Sequence, residues 1–191
     1  MDDHIIRAAE AADLDRAADI LAEAFDTYAW TRWTIPADGY QDRLRQLQRL
    51  YLAYALDVGI VLVDDDLRGV IALLPPVAPA PPDAMQRQVA GLHGDRWEAI
   101  ADVRVPPQPH DAWNLASLGV LPRAQGAGLG LAMVSAALDA VGGPATAVAL
   151  ETSDERNVRL YERAGFTVTA RTAIDGGPVV WSMLRSGGAG R

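Results

Sequence analysis

The sequence of 191 residues contains no cysteine and no lysine. Without cysteine it can form no disulfide, no zinc–thiolate site and no thiolate nucleophile. Because all 17 basic residues are arginines, a Schiff-base lysine and a P-loop lysine are excluded as well. The three histidines, His4, His93 and His110, lie far apart in the sequence and show no metal-ligand spacing, so we expect no metal ion.

Long apolar runs and a basic surplus are also missing. No segment approaches the ~20 apolar residues that a membrane-spanning helix needs. Residues 1–4 do not begin the basic-then-apolar pattern of a secretory signal, so we expect a cytoplasmic protein that does not associate with membranes. A formal net charge of −8 disfavours a nucleic-acid partner, because the phosphate backbone selects basic surfaces.

The composition predicts a single folded domain. Half of the residues are hydrophobic and 22% are charged, which suffices for one core. We place the domain at residues 1–185 and predict a disordered tail at residues 186–191. Proline-rich stretches bound residues 76–109, which we interpret as an inserted flap or packed side helix within that domain.

In the first half, hydrophobic periodicity predicts a strand, two helices, two strands and one further helix. The first helix would begin after an N-cap at Asp13, and a loop with Tyr28, Trp30 and Trp33 would follow it. The second helix would begin at Asp38 and bury an apolar stripe, or use it as a dimer face. That stripe consists of Tyr40, Leu44, Leu47, Tyr51 and Tyr54.

In the second half, strands and helices alternate. We predict strands at residues 113–120 and 145–151, each followed by a helix, and two final strands near residues 166–173 and 178–184. Thr152 and Glu155 have capping-box spacing, which predicts a helix start at Thr152. This order of elements indicates an α/β fold with one mixed sheet and helices on both faces.

The loop after the strand at residues 113–120 is rich in glycine. Gly126, Gly128 and Gly130 alternate just before a helix, so an anion could reach backbone N–H groups at the positive end of the helix dipole. Arg123 would add a positive charge. This arrangement predicts a pyrophosphate site, although a tight turn that merely requires glycine remains an alternative. A dinucleotide fingerprint does not fit, because its third glycine would come one residue later.

A second group of candidate residues lies on the helix after residue 152. Asn157 and Tyr161 are four residues apart and therefore share one helix face. Both would face the same crevice as the glycine loop if the two preceding strands are neighbours. Alternatively, Tyr161 could be a half-buried side chain that packs beside Leu160 and Ala164.

Two sequence motifs resemble those of a known family. Arg123-x-x-Gly126-x-Gly128 resembles the acyl-CoA motif of the GCN5-related N-acetyltransferase (GNAT) superfamily, and residues 150–166 resemble its second motif. Within that superfamily, residues 25–34, 47–57, 112–120 and 150–170 are similar to the puromycin-type N-acetyltransferases. Residues 76–109 show little of this likeness.

The resemblance implies the fold and the reaction. It implies a single GNAT-like domain whose central, mostly antiparallel twisted sheet of about seven strands splays at the cofactor cleft. It further implies direct transfer of the acetyl group of acetyl-CoA to the primary amine of a small molecule, such as an antibiotic of the puromycin type. The segment at residues 76–109 would border the acceptor site, and the enzyme would be a monomer or homodimer.

The resemblance also implies roles for individual residues. Tyr161 would be the general acid. Many members carry a glutamate on the strand before the glycine loop; because Asn114 and Ser117 occupy that region here, Glu151 is the first candidate for the base and His110 the second. The predicted acceptor-site residues are Tyr28, Trp30, Trp33 and Trp113. The predicted cofactor-binding residues are Leu118, Gly119, Val120, Arg123, Gln125, Gly126, Ala127, Gly128, Leu129, Gly130 and Asn157.

Two other functions remain open from the sequence. The chain could be a non-catalytic acyl-CoA-binding module that regulates a partner, although the pairing of Tyr161 with Asn157 argues against this. It could also acetylate a protein or peptide, which an open acidic groove would favour. A segment at residues 76–109 that closes over the site would favour a small molecule instead.

Overall fold

The computed structural model describes residues 4–188 and contains one seven-stranded sheet. The strand order is β1-β2-β3-β4-β5-β7-β6, and only β4 and β5 pair in parallel. The predicted α/β fold with a mostly antiparallel sheet is therefore confirmed. The strands are β1 (Ile6–Ala8), β2 (Ile60–Asp64), β3 (Gly69–Leu74), β4 (Trp113–Val120), β5 (Val148–Thr152), β6 (Thr167–Ala173) and β7 (Val179–Arg185).

Seven α-helices occur within the described part of the chain, and none of them is long and apolar enough to cross a bilayer. Short 3₁₀ turns precede α1, α5 and α6. The helices are α1 (Leu14–Ala24), α2 (Ala29–Thr34), α3 (Tyr40–Val58), α4 (Asp83–His93), α5 (Trp97–Ala101), α6 (Leu129–Ala140) and α7 (Glu155–Arg163).

The central strands bury both faces because successive side chains point to opposite sides of a strand. Val61 and Val63 of β2 pack with the buried residues of α1 and α3. Leu62, which lies between them, packs with α6 and α7 on the other face. This arrangement explains why β2 and β3 are continuously apolar, and it confirms that helices cover both faces of the sheet.

The sheet splays between β4 and β5. Only two residue pairs join these strands, Trp113 with Val148 and Asn114 with Ala149. Immediately beyond, the β3–β4 register shifts, and Ala116 is the extra residue on β4. A bulge of this kind bends its strand. Residues 115–120 of β4 therefore have no strand partner on the side of β5, and a cleft opens there.

One predicted helix start is wrong, and another is right but lacks the expected side-chain capping bond. Thr152 does not cap α7, because it belongs to β5 and pairs with Trp181 of β7. The cap is Asp154 instead, whose carboxylate accepts a hydrogen bond from the Arg156 N–H at 2.8 Å. Asp13 precedes α1 without a side-chain capping bond to that helix, since its carboxylate accepts from the Glu10 N–H and pairs with Arg7.

Three further expectations are corrected. The aromatic segment after α1 is not all loop, because Ala29–Thr34 forms α2. The helix expected within residues 76–109 breaks at Gly94, whose φ of 54° lies in the left-handed region. On α3, Tyr40, Leu44 and Leu47 are buried, but Tyr51 is 37% exposed and does not belong to the core.

The predicted tail is only partly described. Within it, residues 189–191 lie outside the described residues. Ser186–Gly188 follows the end of β7, and the Gly188 N–H donates to the Pro144 carbonyl at 2.6 Å. The single-domain boundaries and the tail stay predictions.

Gly119 is expected to be essential for packing α1 against β4. A Cβ at this position would lie 2.7 Å from Leu21 Cδ2 and 3.0 Å from Ala24 Cβ. We expect Gly119→Ala to destabilise the fold by about 1–3 kcal/mol, which corresponds to a fall in Tm of about 2–4 °C for each kcal/mol. Gly91→Ala in α4 is the control, because its Cβ would meet nothing within 4 Å. An unchanged Tm for Gly119→Ala in thermal unfolding would contradict this packing.

Candidate active site

A cavity of about 580 Å³ fills the gap between β4 and β5. Its lining joins the two sequence motifs, since Gly126, Gly128 and Gly130 lie on one side and Asn157 and Tyr161 on the other. Both groups face one crevice, as expected. The reason is that β4 and β5 pair in parallel, so α6 and α7 begin at the same end of the sheet.

Backbone N–H groups at the start of α6 are unpaired. The Gln125 N–H donates to Pro122, and the Ala132 N–H makes the first helical bond, to Gly128. Among the described residues, the N–H groups of residues 126–131 donate to no backbone carbonyl. Consecutive free amides at the N-terminus of a long helix are a suitable site for a phosphate or pyrophosphate.

The three glycines of this loop meet different requirements. Gly126 and Gly128 have φ values of 84° and 88°, which side chains rarely adopt, and a Cβ on either would meet nothing within 4 Å. Gly130 lies within α6, where a Cβ would approach Leu160 Cδ1 of α7 at 3.3 Å. The first two therefore shape an open loop, and the third allows α6 and α7 to pack closely.

Several other predicted cofactor residues also line this cavity. Leu118, Gly119 and Val120 contribute from the free edge of β4, and Gln125 from the loop. The Gln125 side chain donates from Nε2 to the Val120 carbonyl at 3.0 Å, which ties the loop to the end of the strand.

Three predicted cofactor residues do not line the cavity. Arg123 pairs with Glu23 at 3.3 Å on the surface. The carbonyl of Ala127 lies 3.1 Å from His4 Nε2, and Leu129 is buried in the core that α6 forms with the sheet.

A second cavity, of about 310 Å³, adjoins the first. Six residues line both: Phe25, Tyr28, Leu118, Ser153, Asn157 and Tyr161. A molecule in the first cavity and a molecule in the second would therefore meet among these six residues, which include Tyr161.

The Tyr161 side chain is placed to hold a proton at this junction. It is 5% exposed, and its ring packs edge-on against Phe166 with 5.7 Å between centroids. Its hydroxyl has no hydrogen-bond partner among residues 4–188. Burial raises the pKa of Tyr161 well above its ordinary value, and the neighbouring Tyr28 raises it further, so the phenol stays protonated at neutral pH.

Tyr28 fixes the turn between β5 and α7. Its hydroxyl accepts from the Ser153 N–H at 2.6 Å and can therefore donate to Thr152 Oγ1 at 3.0 Å. Asn157 Nδ2 approaches the same Thr152 oxygen at 3.4 Å, and the Trp30 N–H donates to Ser153 Oγ at 3.2 Å. These bonds hold α2 against the cavity wall and leave Asn157 Oδ1 free to accept.

The other predicted acceptor-site residues are divided. Trp30 lines the second cavity, whereas Trp33 and Trp113 line neither one. Trp33 packs at Gly177, where a Cβ would lie 2.9 Å from its Cε2 atom. Trp113 pairs with Val148 and packs against the core.

The two candidate bases are also separated. Glu151 lines the second cavity with an exposed side chain, while the exposed His110 lines neither cavity. The described residues contain no group of three histidine, aspartate or glutamate side chains that could hold a metal ion.

Several residues of the second cavity were not among the predicted site residues, and four of them come from α3 and from the segment at residues 76–109. Val103 and Val105 come from the segment at residues 76–109, and Gln48 and Tyr51 come from α3. One signal was present, because Gln48 interrupts the buried face of α3 next to Leu47 and four residues after Leu44. The resemblance implied that the segment at residues 76–109 borders the acceptor site, but it did not single out the two valines, since their position depends on the path of an irregular segment.

Solved structures share this fold. A protein of Corynebacterium glutamicum, described as histone acetyltransferase HPA2 and related acetyltransferase, is 24% identical, with 98% of each chain covered and a TM-score of 0.78. Mosquito arylalkylamine N-acetyltransferase like 5b is 20% identical over 94% of this chain and 98% of that chain, with a TM-score of 0.59. The yncA protein of Salmonella typhimurium, solved with its cofactor acetyl-CoA, is 18% identical over 100% and 97%, with a TM-score of 0.55.

The sequence itself gives the family. The Acetyltransferase (GNAT) family matches residues 23–166, which is most of the chain and includes β4, the glycine loop and α7. The resemblance of the two motifs is thereby confirmed at the level of the family. The chain belongs to the GNAT family of acetyltransferases.

Proposed function

We propose that this enzyme transfers the acetyl group of acetyl-CoA directly to the primary amine of a small molecule. The observation that carries the proposal is Tyr161, a buried residue that lines both cavities and whose hydroxyl is unpaired among the described residues. The first cavity suits the cofactor and the second suits the acceptor. The chain has no cysteine, so it cannot form an acyl-enzyme at a thiolate, which agrees with direct transfer.

The residues of the first cavity fit coenzyme A. The free N–H groups of residues 126–131 suit its pyrophosphate, and the unpaired edge of β4 suits the amide-containing arm, which could add to the sheet like a strand. Asn157 Oδ1 can accept from that arm. Arg156 and Arg163 also line the cavity, together with Asp154 and Glu155, and Arg156 pairs with Asp154 at 2.8 Å.

Three groups of the chain would take part in the transfer. Acetyl-CoA supplies the acetyl thioester. A backbone N–H near Leu118, on the free edge of β4, would polarise its carbonyl. As the amine nitrogen forms a bond to the acetyl carbon, Glu151 would take the proton that the nitrogen loses. As the carbon–sulfur bond breaks, Tyr161 would donate its proton to the departing sulfur.

The second cavity supports a small acceptor over a protein or peptide. It is about 310 Å³, and Val103 and Val105 of the segment at residues 76–109 line it together with Trp30. Glu151 is the charged residue of this lining, which includes no arginine or histidine, so the pocket is compatible with a cationic amine. The more specific likeness to puromycin-type enzymes makes puromycin the first acceptor to test.

The function is tested by thiol release from acetyl-CoA with a panel of small amines that includes aminonucleosides and aminoglycosides. We expect wild-type enzyme to release CoA only when a suitable amine is present, and mass spectrometry to find the acetyl group on the nitrogen. Binding of acetyl-CoA without turnover on any amine would favour the non-catalytic binding module. A negative result with puromycin alone would remove only that acceptor.

Tyr161→Phe is expected to lower kcat by about 10²–10⁴-fold, because the variant lacks the proton donor. Stability should change little, since the lost hydroxyl has no partner in the described residues. Because the pKa of Tyr161 is raised, the pH profile of wild-type kcat should show no decline centred near the ordinary tyrosine pKa of about 10. Initial rates against pH for both proteins check this, and a Tyr161→Phe enzyme of normal kcat would contradict the role.

Glu151→Gln is expected to lower kcat/KM for the amine by about 10²–10⁴-fold at neutral pH, because the amide cannot take the proton. The loss should shrink as the pH rises, since a larger fraction of the amine is then already neutral. The dissociation constant of acetyl-CoA should not change, because Glu151 does not line the first cavity. An unchanged pH profile of kcat/KM would assign the base to another group or to water.

Gly128→Ala is expected to raise the dissociation constant of acetyl-CoA by about tenfold, or about 1.4 kcal/mol. The alanine would be strained at a φ of 88°, so the loop would relax and its amides would turn away from the pyrophosphate. Gly143→Ala is a matched control, because Gly143 also has a positive φ of 64° and open space but lies outside the cleft. Calorimetry should show weaker binding for Gly128→Ala alone, and equal binding would contradict the amide cradle.

A further inference from the structure

The α3 wall of the second cavity carries an unpaired amide. Gln48 is 5% exposed and lines the cavity, and its Oε1 has no hydrogen-bond partner among the described residues. Burial of an unpaired polar atom destabilises a fold, whereas an apolar side chain of the same size would not. If the amide rotates slightly toward the cavity, a donor on a bound molecule would give this oxygen the partner that the chain does not supply.

Tyr51, almost one helix turn after Gln48, presents a second acceptor to the same cavity. The orientation of its hydroxyl follows from its neighbours. The Thr34 carbonyl can only accept, so His93 Nδ1, at 2.8 Å, must carry the proton between them. Burial lowers the pKa of His93 and keeps the ring neutral, which leaves Nε2 without a proton.

The Tyr51 hydroxyl therefore donates to His93 Nε2 at 3.3 Å, and its own lone pairs are left for the cavity. Although the residue as a whole is 37% exposed, desolvation around its hydroxyl raises the pKa of Tyr51 to about 12, so the hydroxyl keeps the proton that this bond requires. A nearby hydroxyl does not supply a donor, since Thr31 Oγ1 already donates to the Phe25 and Tyr28 carbonyls.

The acceptor pocket thus has two polar regions. One contains Tyr161 and the Glu151 carboxylate, where the proposed chemistry places the reacting amine. The other is the α3 wall, where Gln48 Oε1 and Tyr51 Oη are hydrogen-bond acceptors. The cavity holds about ten water-sized groups at about 30 Å³ each, so a single small amine could reach both regions.

Resting on the proposed function, we propose that the natural acceptor carries a second hydrogen-bond donor, a hydroxyl or another amine, that binds Gln48 and Tyr51. These two residues determine acceptor specificity and take no part in the proton transfers. A site built to receive a donor rejects analogues that lack one, because its buried acceptors then remain unpaired.

The test compares linear amino alcohols of increasing length with their methyl ethers. The ether keeps the chain and the oxygen but loses the O–H donor, and the series covers a range of distances between the amine and the donor. For the best alcohol, we expect wild-type kcat/KM to exceed that of the matched ether by about tenfold. Gln48→Met, which keeps the length of the side chain, should reduce this preference by about threefold to tenfold, and Tyr51→Phe should reduce it as well.

Thermal unfolding without ligand separates recognition from a structural role. Gln48→Met should raise Tm by about 2–4 °C, because it removes an unpaired buried amide. Ser182→Ala is the matched control, since Ser182 Oγ is also buried without a partner but lines neither cavity. Its Tm should rise or stay constant, while its preference for the alcohol should equal that of the wild type.

The outcomes distinguish this inference from the proposed function. A lower Tm for Gln48→Met, or equal kcat/KM for alcohol and ether in the wild type, would overturn the specificity role and leave the acetyltransferase assignment in place. Acetyl-CoA binding without turnover of any amine in the panel would overturn the proposed function, and this inference with it. A higher Tm together with a lost preference for the alcohol would support the inference.

Discussion

The parting of β4 and β5 after only two residue pairs is the constraint on which the rest of the site depends. The bulge at Ala116 turns β4 away from β5 directly after the last pair, at the centre of a sheet that is otherwise continuously hydrogen-bonded. The free edge of β4 and the amides at the start of α6 are both left without backbone partners there. A sheet interior normally leaves few such groups unpaired, so this cleft is built to be completed by another molecule.

The opposite wall of the cleft depends on hydrogen bonds between distant parts of the chain. Tyr28, which directly precedes α2, bonds to Thr152 and Ser153, which end β5 and lead into α7. Because the same Thr152 oxygen also receives Asn157, the short helix α2, the strand end and the first turn of α7 move as a unit. Tyr28 therefore acts on the site mainly by holding it, although the sequence suggested only contact with the substrate.

The sequence predicts the parts of the site whose geometry is local. Gly126 and Gly128 mark a loop with positive φ, and the spacing of Asn157 and Tyr161 places both on one face of α7, whatever the rest of the fold does. Because β4 and β5 are parallel neighbours, the glycine loop then lies next to this face of α7. The seven strands and the coverage of both faces also follow from local periodicity, apart from errors of a few residues at helix ends.

Other features depend on contacts between segments that are remote in sequence. Aromatic composition alone could not separate Trp30, which reaches the second cavity, from Trp33, which packs beside the Gly177 turn. The same applies to Tyr51, whose periodicity suggested the core. Its hydroxyl has a different role because His93, from the helix after the proline-rich stretch, folds back to meet it.

The distribution of unpaired polar atoms links the stability of the chain to its chemistry. Tyr161 and Gln48 come from different faces of the sheet, and both residues line the second cavity. The low polarity that raises the pKa of Tyr161 would also raise the proton affinity of a thiolate formed beside it, because both anions lose solvation in the same surroundings. The proton affinities of the phenolate and the thiolate therefore rise together, and the phenol would still be able to give its proton to sulfur. In the proposed mechanism, this burial would keep Tyr161 protonated until sulfur departs.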